Sequence, residues 1–329
     1  MSTGSFGLFF GVLLLLELIY FRIARMYGIL DHPNDRSLHG EPTIRGGGII
    51  FPLTAILLYF ITGGPDGYYV LGLLVVAVVG FIDDIRTLNS SVRLLFQAVG
   101  FSLVMLGLNL TNMGILPILV IFVISVGSIN TFNFMDGING LTGGYGFVTL
   151  GSLLYINVSE IYFIETEFIV AMIMAVIIFC FFNFRTRAVC FAGDVGSLAL
   201  GMTIVFLIIK LMLISGNYVF IGLLSVYGVD SVLTILHRIV RRENIFKPHK
   251  VHLYQVMVNY FKVSHIQMSL TYAAVQLMIN LFLVSALSAE ISFQYTLGGV
   301  MVFVLSGIYL FLKRRALKVL PAPGSDQLF

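Results

Sequence analysis

Between Asn130 and Gly144 the chain reads Asn-Thr-Phe-Asn-Phe-Met-Asp-Gly-Ile-Asn-Gly-Leu-Thr-Gly-Gly, and long apolar segments lie on either side. Asn130, Asn133, Asp136 and Asn139 recur every third residue. Their oxygen-bearing side chains are expected to line one face of a helix end or a tight loop. Hard divalent cations and phosphate-rich ligands are bound by such oxygens and by backbone amides. A plain polar turn would account for Asp136-Gly137 and the closing glycines. It would not account for three further polar residues at fixed spacing.

Four more clusters carry chemistry. Asp83-Asp84 closes an apolar segment, and adjacent carboxylates repel unless a cation or base is near. Arg86 and Arg93 follow closely. A solvated helix end is the plain alternative, but two aspartates there oppose the helix dipole, which favours a site. From Asn183 to Ser197 the chain offers Gly193-Asp194-Val195-Gly196-Ser197 just before another apolar segment. Small neighbours admit a ligand and a helix N-terminus favours an anion, although Asp194 would also serve as a simple N-cap. The stretch from Arg238 to Lys262 contains Lys247-Pro248-His249-Lys250-Val251-His252. His249, Lys250 and His252 are donors suited to phosphate oxygens, while a basic loop beside a membrane also serves topology and headgroups. The histidine spacing does not match a zinc set. Last, Asp31 to Gly48, with His39, Arg45 and Gly46-Gly47-Gly48, reads as a tight entry into the next segment or as a closure over substrate.

The elements positioning these clusters must be membrane helices. The chain has 329 residues, 58% of them hydrophobic, with 11% charged and a mean hydropathy of +1.00. Soluble domains carry about 25% charged residues. Cys180 and Cys190 imply no disulfide framework. Without tryptophan, any aromatic belt must come from Tyr and Phe. Eleven apolar segments are legible, at 5–22, 46–62, 68–82, 92–109, 114–131, 141–157, 162–182, 195–215, 218–237, 266–288 and 294–312. The first has basic residues after it and none before, the reverse of a cleavable signal peptide. The expected architecture is an all-α integral membrane protein, one polytopic domain over 1–320 with a disordered tail at 321–329.

With eleven crossings, 18 of the 19 basic residues fall on one side, and the opposite connections carry Asp66, Glu160, Glu165, Glu167 and Glu290. The positive-inside rule then puts the N-terminus outside and the C-terminus in the cytoplasm. The exception, Lys210, sits inside a segment. It is expected to face the interior, snorkel, or pair with an acid such as Glu17.

Every polar cluster lies on this cytoplasmic side. Acids with a hard cation, together with bases, are the equipment of phosphoryl transfer. A carrier for an anionic solute would place its groups near the bilayer midplane, often within inverted repeats, and no repeat is seen. A polyprenyl-pyrophosphate phosphatase would need no nucleotide.

Asp83-Asp84, the run from Asn130 to Leu141, Asn183 with Gly193-Asp194-x-Gly196-Ser197, and His249-Lys250-Val251-His252 together resemble the polyprenyl-phosphate N-acetylhexosamine-1-phosphate transferases. The match spans roughly residues 30 to 255 in motif order. The resemblance implies that a UDP-N-acetylhexosamine and undecaprenyl phosphate give undecaprenyl-pyrophosphoryl-sugar and UMP at the bacterial inner membrane. It implies Mg²⁺, with Mn²⁺ as a substitute, held by Asn133 and Asp194. Asp83 and Asp84 would position or deprotonate the lipid phosphate, and Arg93 would bind it. Asn130, Asp136, Asn139 and Asn183 fall on the substrate side, and His249, Lys250 and His252 on the sugar-nucleotide pyrophosphate. A homodimer is an option among partners, and nucleic acid is not expected. The run of consecutive histidines typical of the phospho-MurNAc-pentapeptide translocase is absent, which argues against that substrate. Residues 31–48 look more like the O-antigen-initiating branch, with GlcNAc or a 6-deoxy relative such as FucNAc or QuiNAc as the sugar.

Overall fold

The computed structural model describes residues 3–31, 42–244 and 250–317, and nearly all of them are helical. The helices are α1 (Thr3–Tyr27), α2 (Ile50–Thr62), α3 (Gly67–Ile85), α4 (Ser90–Gly107), α5 (Ile115–Met135), α6 (Leu141–Ser159), α7 (Thr166–Asn183), α8 (Gly193–Ser215), α9 (Ser225–Val240), α10 (Leu253–Asn259), α11 (His265–Ser285) and α12 (Ile291–Leu317). The protein is an all-α integral membrane protein. Among the described residues, nine helical stretches are long and apolar enough to cross a bilayer.

Each of the eleven expected segments coincides with a helix, but two differ from the other nine. Segment 46–62 is the shorter Gly47–Thr62 stretch, a 3₁₀ turn running into α2. Segment 141–157 is α6, whose Thr, Ser, Asn and Gly content keeps it out of the strongly apolar set. Several of its polar groups find partners inside the bundle. Tyr145 Oη donates to Gln276 Oε1 of α11 at 2.7 Å, and Asn280 Nδ2 donates to Ser152 Oγ at 2.8 Å. Side-chain hydrogen bonds between helices are a usual way of joining them in lipid.

α8 is the axis. Its apolar window is 78% buried, against 6% for α12 at the periphery. α8 packs on α2, α3, α5 and α6. Gly48, in the 3₁₀ turn before α2, lies against Gly196 so closely that a Cβ on either would collide with the other's Cα. That contact brings the turn onto the first residues of α8.

A short antiparallel pair, Leu30–Asp31 with Thr43–Ile44, adds a β element that the sequence did not suggest. Ile44 also bridges to Cys190 in parallel fashion. Lys210 lies over the Phe206 ring, 5.9 Å from its centroid. Glu17 is buried and neither carboxyl oxygen has a hydrogen-bond partner, so of the three options for Lys210 the pairing with Glu17 is not realised. The tail at 321–329, His249, and the stretch from Pro33 to His39 lie outside the described residues.

Candidate functional site

The polar clusters meet where α3 ends and α8 begins. α3 runs to Ile85 and α4 starts at Ser90, so Asp83, Asp84 and Arg93 flank one tight connection. Leu88 N donates to Asp83 Oδ1 at 2.5 Å, and Arg93 Nη1 lies 3.3 Å from Asp83 Oδ2. The same Nη1 donates to Asp194 Oδ2 at 2.6 Å, across 101 residues of sequence. Arg45 Nε donates to Asp84 Oδ1 at 2.8 Å, and Arg45 Nη2 lies 3.8 Å from Asp194 Oδ1. Three carboxylates and two guanidiniums thus form one cluster.

Asp194 does not cap its own helix. α8 is preceded by Ala192, which has no capping side chain, and Gly193 follows with φ +70. The free N–H groups of Asp194 and Val195 point at Asp84, at 2.9 and 3.1 Å. A Cβ on Gly193 would collide with the Asp84 carboxyl, so this position requires glycine on two counts. The Asp194 carboxylate is left to face the arginines.

The cluster has an inside and an outside. The Asp84, Asp83 and Asp194 side chains are 0%, 4% and 12% exposed, while those of Arg45 and Arg93 are 32% and 27% exposed. An arriving anion therefore meets guanidiniums first, with the carboxylates behind them.

The Asn130–Asn139 run does not line a single face, because α5 ends at Met135 within it. Asn130 Nδ2 donates to Gln97 Oε1 at 2.5 Å, toward α4. Asn133 Nδ2 donates to Ser197 Oγ at 3.1 Å, one turn beyond Asp194 on α8. Asp136 turns its carboxyl toward Thr142 and the Gly193 backbone, within electrostatic reach of Asp194 and Arg45. Burial pushes this carboxyl up to about 7, and the Asp194 charge adds to the effect. Burial alone would lower the Arg45 guanidinium, but Asp84 and Asp194 outweigh it and hold Arg45 above its ordinary range.

Asn139 and Asn183 brace main chain. Asn139 Nδ2 donates to the Arg185 and Thr186 carbonyls at 2.8 and 3.2 Å. Asn183 Oδ1 accepts from Gly140 N and its Nδ2 donates to Cys190 O, both at 2.8 Å. The two residues tie the α5–α6 loop to the α7–α8 loop.

His252 reaches the same neighbourhood by way of Phe134. Its ring stacks on Phe134 at 6.2 Å between centroids, and Tyr254 Oη donates to Phe134 O at 2.9 Å. Lys250 is exposed beside it, while His252 is 1% exposed. His252 Nδ1 lies 3.2 Å from Asp230 Oδ1. Asp230 also accepts from Leu253 N at 3.0 Å and Tyr272 Oη at 2.6 Å.

Arg45 and Asp230 are the residues that sequence reasoning undervalued. Arg45 lies in the 31–48 stretch, which reads as a tight helix entry or a closure over substrate and not as part of a carboxylate cluster. Asp230 is the sole acid of segment 218–237, and an acid within a span is by default a residue with a partner and a role.

The donor set fits a hard divalent cation. Asp194 offers a carboxylate and Asn133 a carboxamide oxygen, the ligand chemistry of Mg²⁺. Among the described residues no three His, Cys, Asp or Glu side chains converge as a closed metal cage. Magnesium commonly takes only one or two protein carboxylates and completes its shell with phosphate oxygens and water.

The family described as Glycosyl transferase family 4 matches residues 67–212, the stretch holding Asp83, Asp84, Arg93, Asn133 and Asp194. A Bacillus subtilis (strain 168) protein described as "Probable undecaprenyl-phosphate N-acetylglucosaminyl 1-phosphate transferase" is 26% identical over 269 residues. The match covers 74% of this chain and 73% of that protein.

Proposed function

We propose that this chain is a polyprenyl-phosphate sugar-1-phosphate transferase of glycosyl transferase family 4 and moves N-acetylhexosamine 1-phosphate from a UDP-sugar to undecaprenyl phosphate. The products are undecaprenyl-pyrophosphoryl-sugar and UMP. GlcNAc is the first candidate sugar, by likeness to the Bacillus relative, and a 6-deoxy relative is the second. The observation that carries this reading is the shared arginine: Arg93 contacts Asp83 and Asp194 from two helices, and its side chain stays 27% exposed.

In the reaction a lipid phosphate oxygen attacks the phosphorus that bears the sugar. The bond from that phosphorus to the bridging oxygen breaks, and UMP leaves with the electron pair. A phosphate monoester has a second pKa near 6, so the acceptor is largely dianionic at neutral pH and needs no strong base. Asp83 and Asp84 then act by position. Asp83 holds Arg93 and the start of α4, and Asp84 holds Arg45 and the start of α8. Arg93 and Arg45 receive the phosphates. Asp194 and Asn133 would hold Mg²⁺, which would supply neutralisation of the diphosphate charge. Asp136 serves the nucleotide side, and Lys250 with His249 the pyrophosphate.

Eleven crossings, with 18 of the 19 basic residues on one side, would put the site at the cytoplasmic face of the inner membrane and the N-terminus outside. Such a site admits one soluble and one lipid substrate, as the first membrane step of a cell-surface polysaccharide requires.

The test is UMP release by purified protein given undecaprenyl phosphate and a panel of UDP-N-acetylhexosamines, with and without Mg²⁺. Asp194→Ala and Asn133→Ala are expected to abolish Mg²⁺-dependent release. Normal turnover by a folded Asp194→Ala protein would remove the metal assignment. Release of inorganic phosphate without a nucleotide would replace the transferase with a phosphatase.

A further inference from the structure

A second basic feature lies at the same end of the bundle, outside the helices that surround the carboxylates. A recess of about 690 Å³ opens between the end of α1 and the end of α7. Arg22, Arg25 and Arg185 line it, together with Phe21, Met26 and Phe181. Among the described residues, no carboxylate pairs with any of these arginines. Arg185 is held in place, its Nε donating to Phe181 O at 2.5 Å and its guanidinium lying 4.6 Å from the Phe181 ring centroid. Among the described residues its terminal nitrogens carry no such bond.

The lining is divided by chemistry. Arg25 sits in the last turn of α1, Arg22 one turn before it, and Arg185 just beyond the end of α7. The apolar members lie along the helices, and Met26 and Phe181 are 71% and 63% exposed. A small soluble anion would meet the guanidiniums and leave this apolar wall bare. A zwitterionic lipid would leave most of the positive charge uncompensated. Basic pockets between helix ends on the cytoplasmic side are suited to anionic headgroups.

We propose that this recess binds an anionic glycerophospholipid, with its phosphate on Arg22, Arg25 and Arg185 and its acyl chains along Phe21, Met26 and Phe181. The occupant braces a segment that matters to the site. Val189 also lines the recess, and its carbonyl accepts from Ile44 N at 3.3 Å, beside Arg45. Residues 185–192 then lead directly into Asp194. The inference uses none of the residues assigned to the reaction, so it stands or falls apart from the transferase reading.

The test uses the full chain purified in neutral detergent, with native mass spectrometry after adding phosphatidylglycerol or phosphatidylcholine. Wild type is expected to retain phosphatidylglycerol in preference. The triple variant R22Q/R25Q/R185Q is expected to lose that preference, its apparent affinity falling on the order of a hundredfold, while the triple lysine variant keeps most of it. Equal retention of the two lipids by wild type would overturn the proposal, as would a glutamine triple indistinguishable from wild type. Displacement of phosphatidylglycerol by equimolar undecaprenyl phosphate would also overturn it, by making the recess a carrier site. Should the triple variant not fold, R25Q alone is read by the shift in unfolding temperature that phosphatidylglycerol produces. A shift equal to that of wild type counts against the site.

Discussion

Asp84 caps the helix that carries Asp194. Its Oδ1 accepts from Asp194 N at 2.9 Å and its Oδ2 from Val195 N at 3.1 Å, although 110 residues separate Asp84 from Asp194. The first N–H groups of a helix need acceptors, and a Ser or Asp at the helix boundary usually supplies them. Here Ala192 holds that place and the acceptor comes from the end of α3. The helix end thus keeps its anion, while the Asp194 carboxylate stays free for the arginines.

Asp84→Ala is accordingly expected to destabilise the protein by about 3–5 kcal/mol, the cost of stranding one partner of a buried ion pair. It leaves two N–H groups and the Arg45 guanidinium without their acceptor. Asp84→Asn keeps the shape and some accepting capacity, and should fall between. Thermal unfolding of the purified variants measures this. An Asp84→Asn protein as stable as wild type yet devoid of turnover would instead make Asp84 a reacting group.

Arg93 ties together carboxylates from two helices, and a lysine cannot imitate a planar fork. Arg93→Lys should lower kcat/KM for the lipid acceptor by roughly 10²-fold, equivalent to about 3 kcal/mol of transition-state stabilisation. The KM for undecaprenyl phosphate should rise as well. Initial-rate kinetics with each substrate varied in turn separates the effects. A change confined to the UDP-sugar KM would place Arg93 on the donor side.

Asp136 gives the protein a titration near neutrality. Its usual value is 3.8, and burial in the folded protein moves it to about 7. The folded form keeps the proton where the unfolded chain has released it. This group therefore weakens the fold as pH climbs from about 4 through about 7. The carboxylate accepts hydrogen bonds from a nucleotide more strongly than the neutral acid does, so kcat/KM for the UDP-sugar should rise as pH passes about 7. Asp136→Asn should lose that rise and gain stability at pH 8. A pH–rate profile unchanged by the substitution would sever Asp136 from the nucleotide.

Helix order and the polar clusters were readable because lipid forces long apolar runs and pushes polar chemistry to their ends. Asp83, Asp84, Asn133 and Asp194 stand out for the same reason. The division of labour among them was not readable. Nothing local says that Asp84 serves α8, because the contact depends on glycine at 193 and on α3 packing against α8. Likewise the three-residue spacing from Asn130 to Asn139 suggests one polar face, but α5 stops at Met135 and sends the later residues elsewhere. Arg45 reaches the cluster through a β pair and the Ile44–Cys190 bridge, pairings too short to show as a strand pattern.

His252 depends on a buried network rather than on its own exposure. Asp230 accepts from Tyr272 Oη, Leu253 N, His252 Nδ1 and Thr234 Oγ1, and Tyr309 Oη and Thr234 Oγ1 share a hydrogen bond at 2.7 Å. Lys313 of α12 then reaches Tyr309 Oη at 3.1 Å and the Val251 carbonyl. One carboxylate thus fixes the segment from Val251 to Leu253 against α9, α11 and α12. Removing the shortest of its bonds with Tyr272→Phe should cost about 1.5–3 kcal/mol, the range for hydrogen bonds to charged groups. The loss should appear locally, as faster hydrogen exchange at residues 250–256, with turnover reduced and the UDP-sugar KM raised. Asp194 and Arg93 lie on other helices, so acceptor KM should hold steady. Slower turnover with unchanged exchange at 250–256 would mean that Tyr272 acts on substrate directly and not by holding the loop.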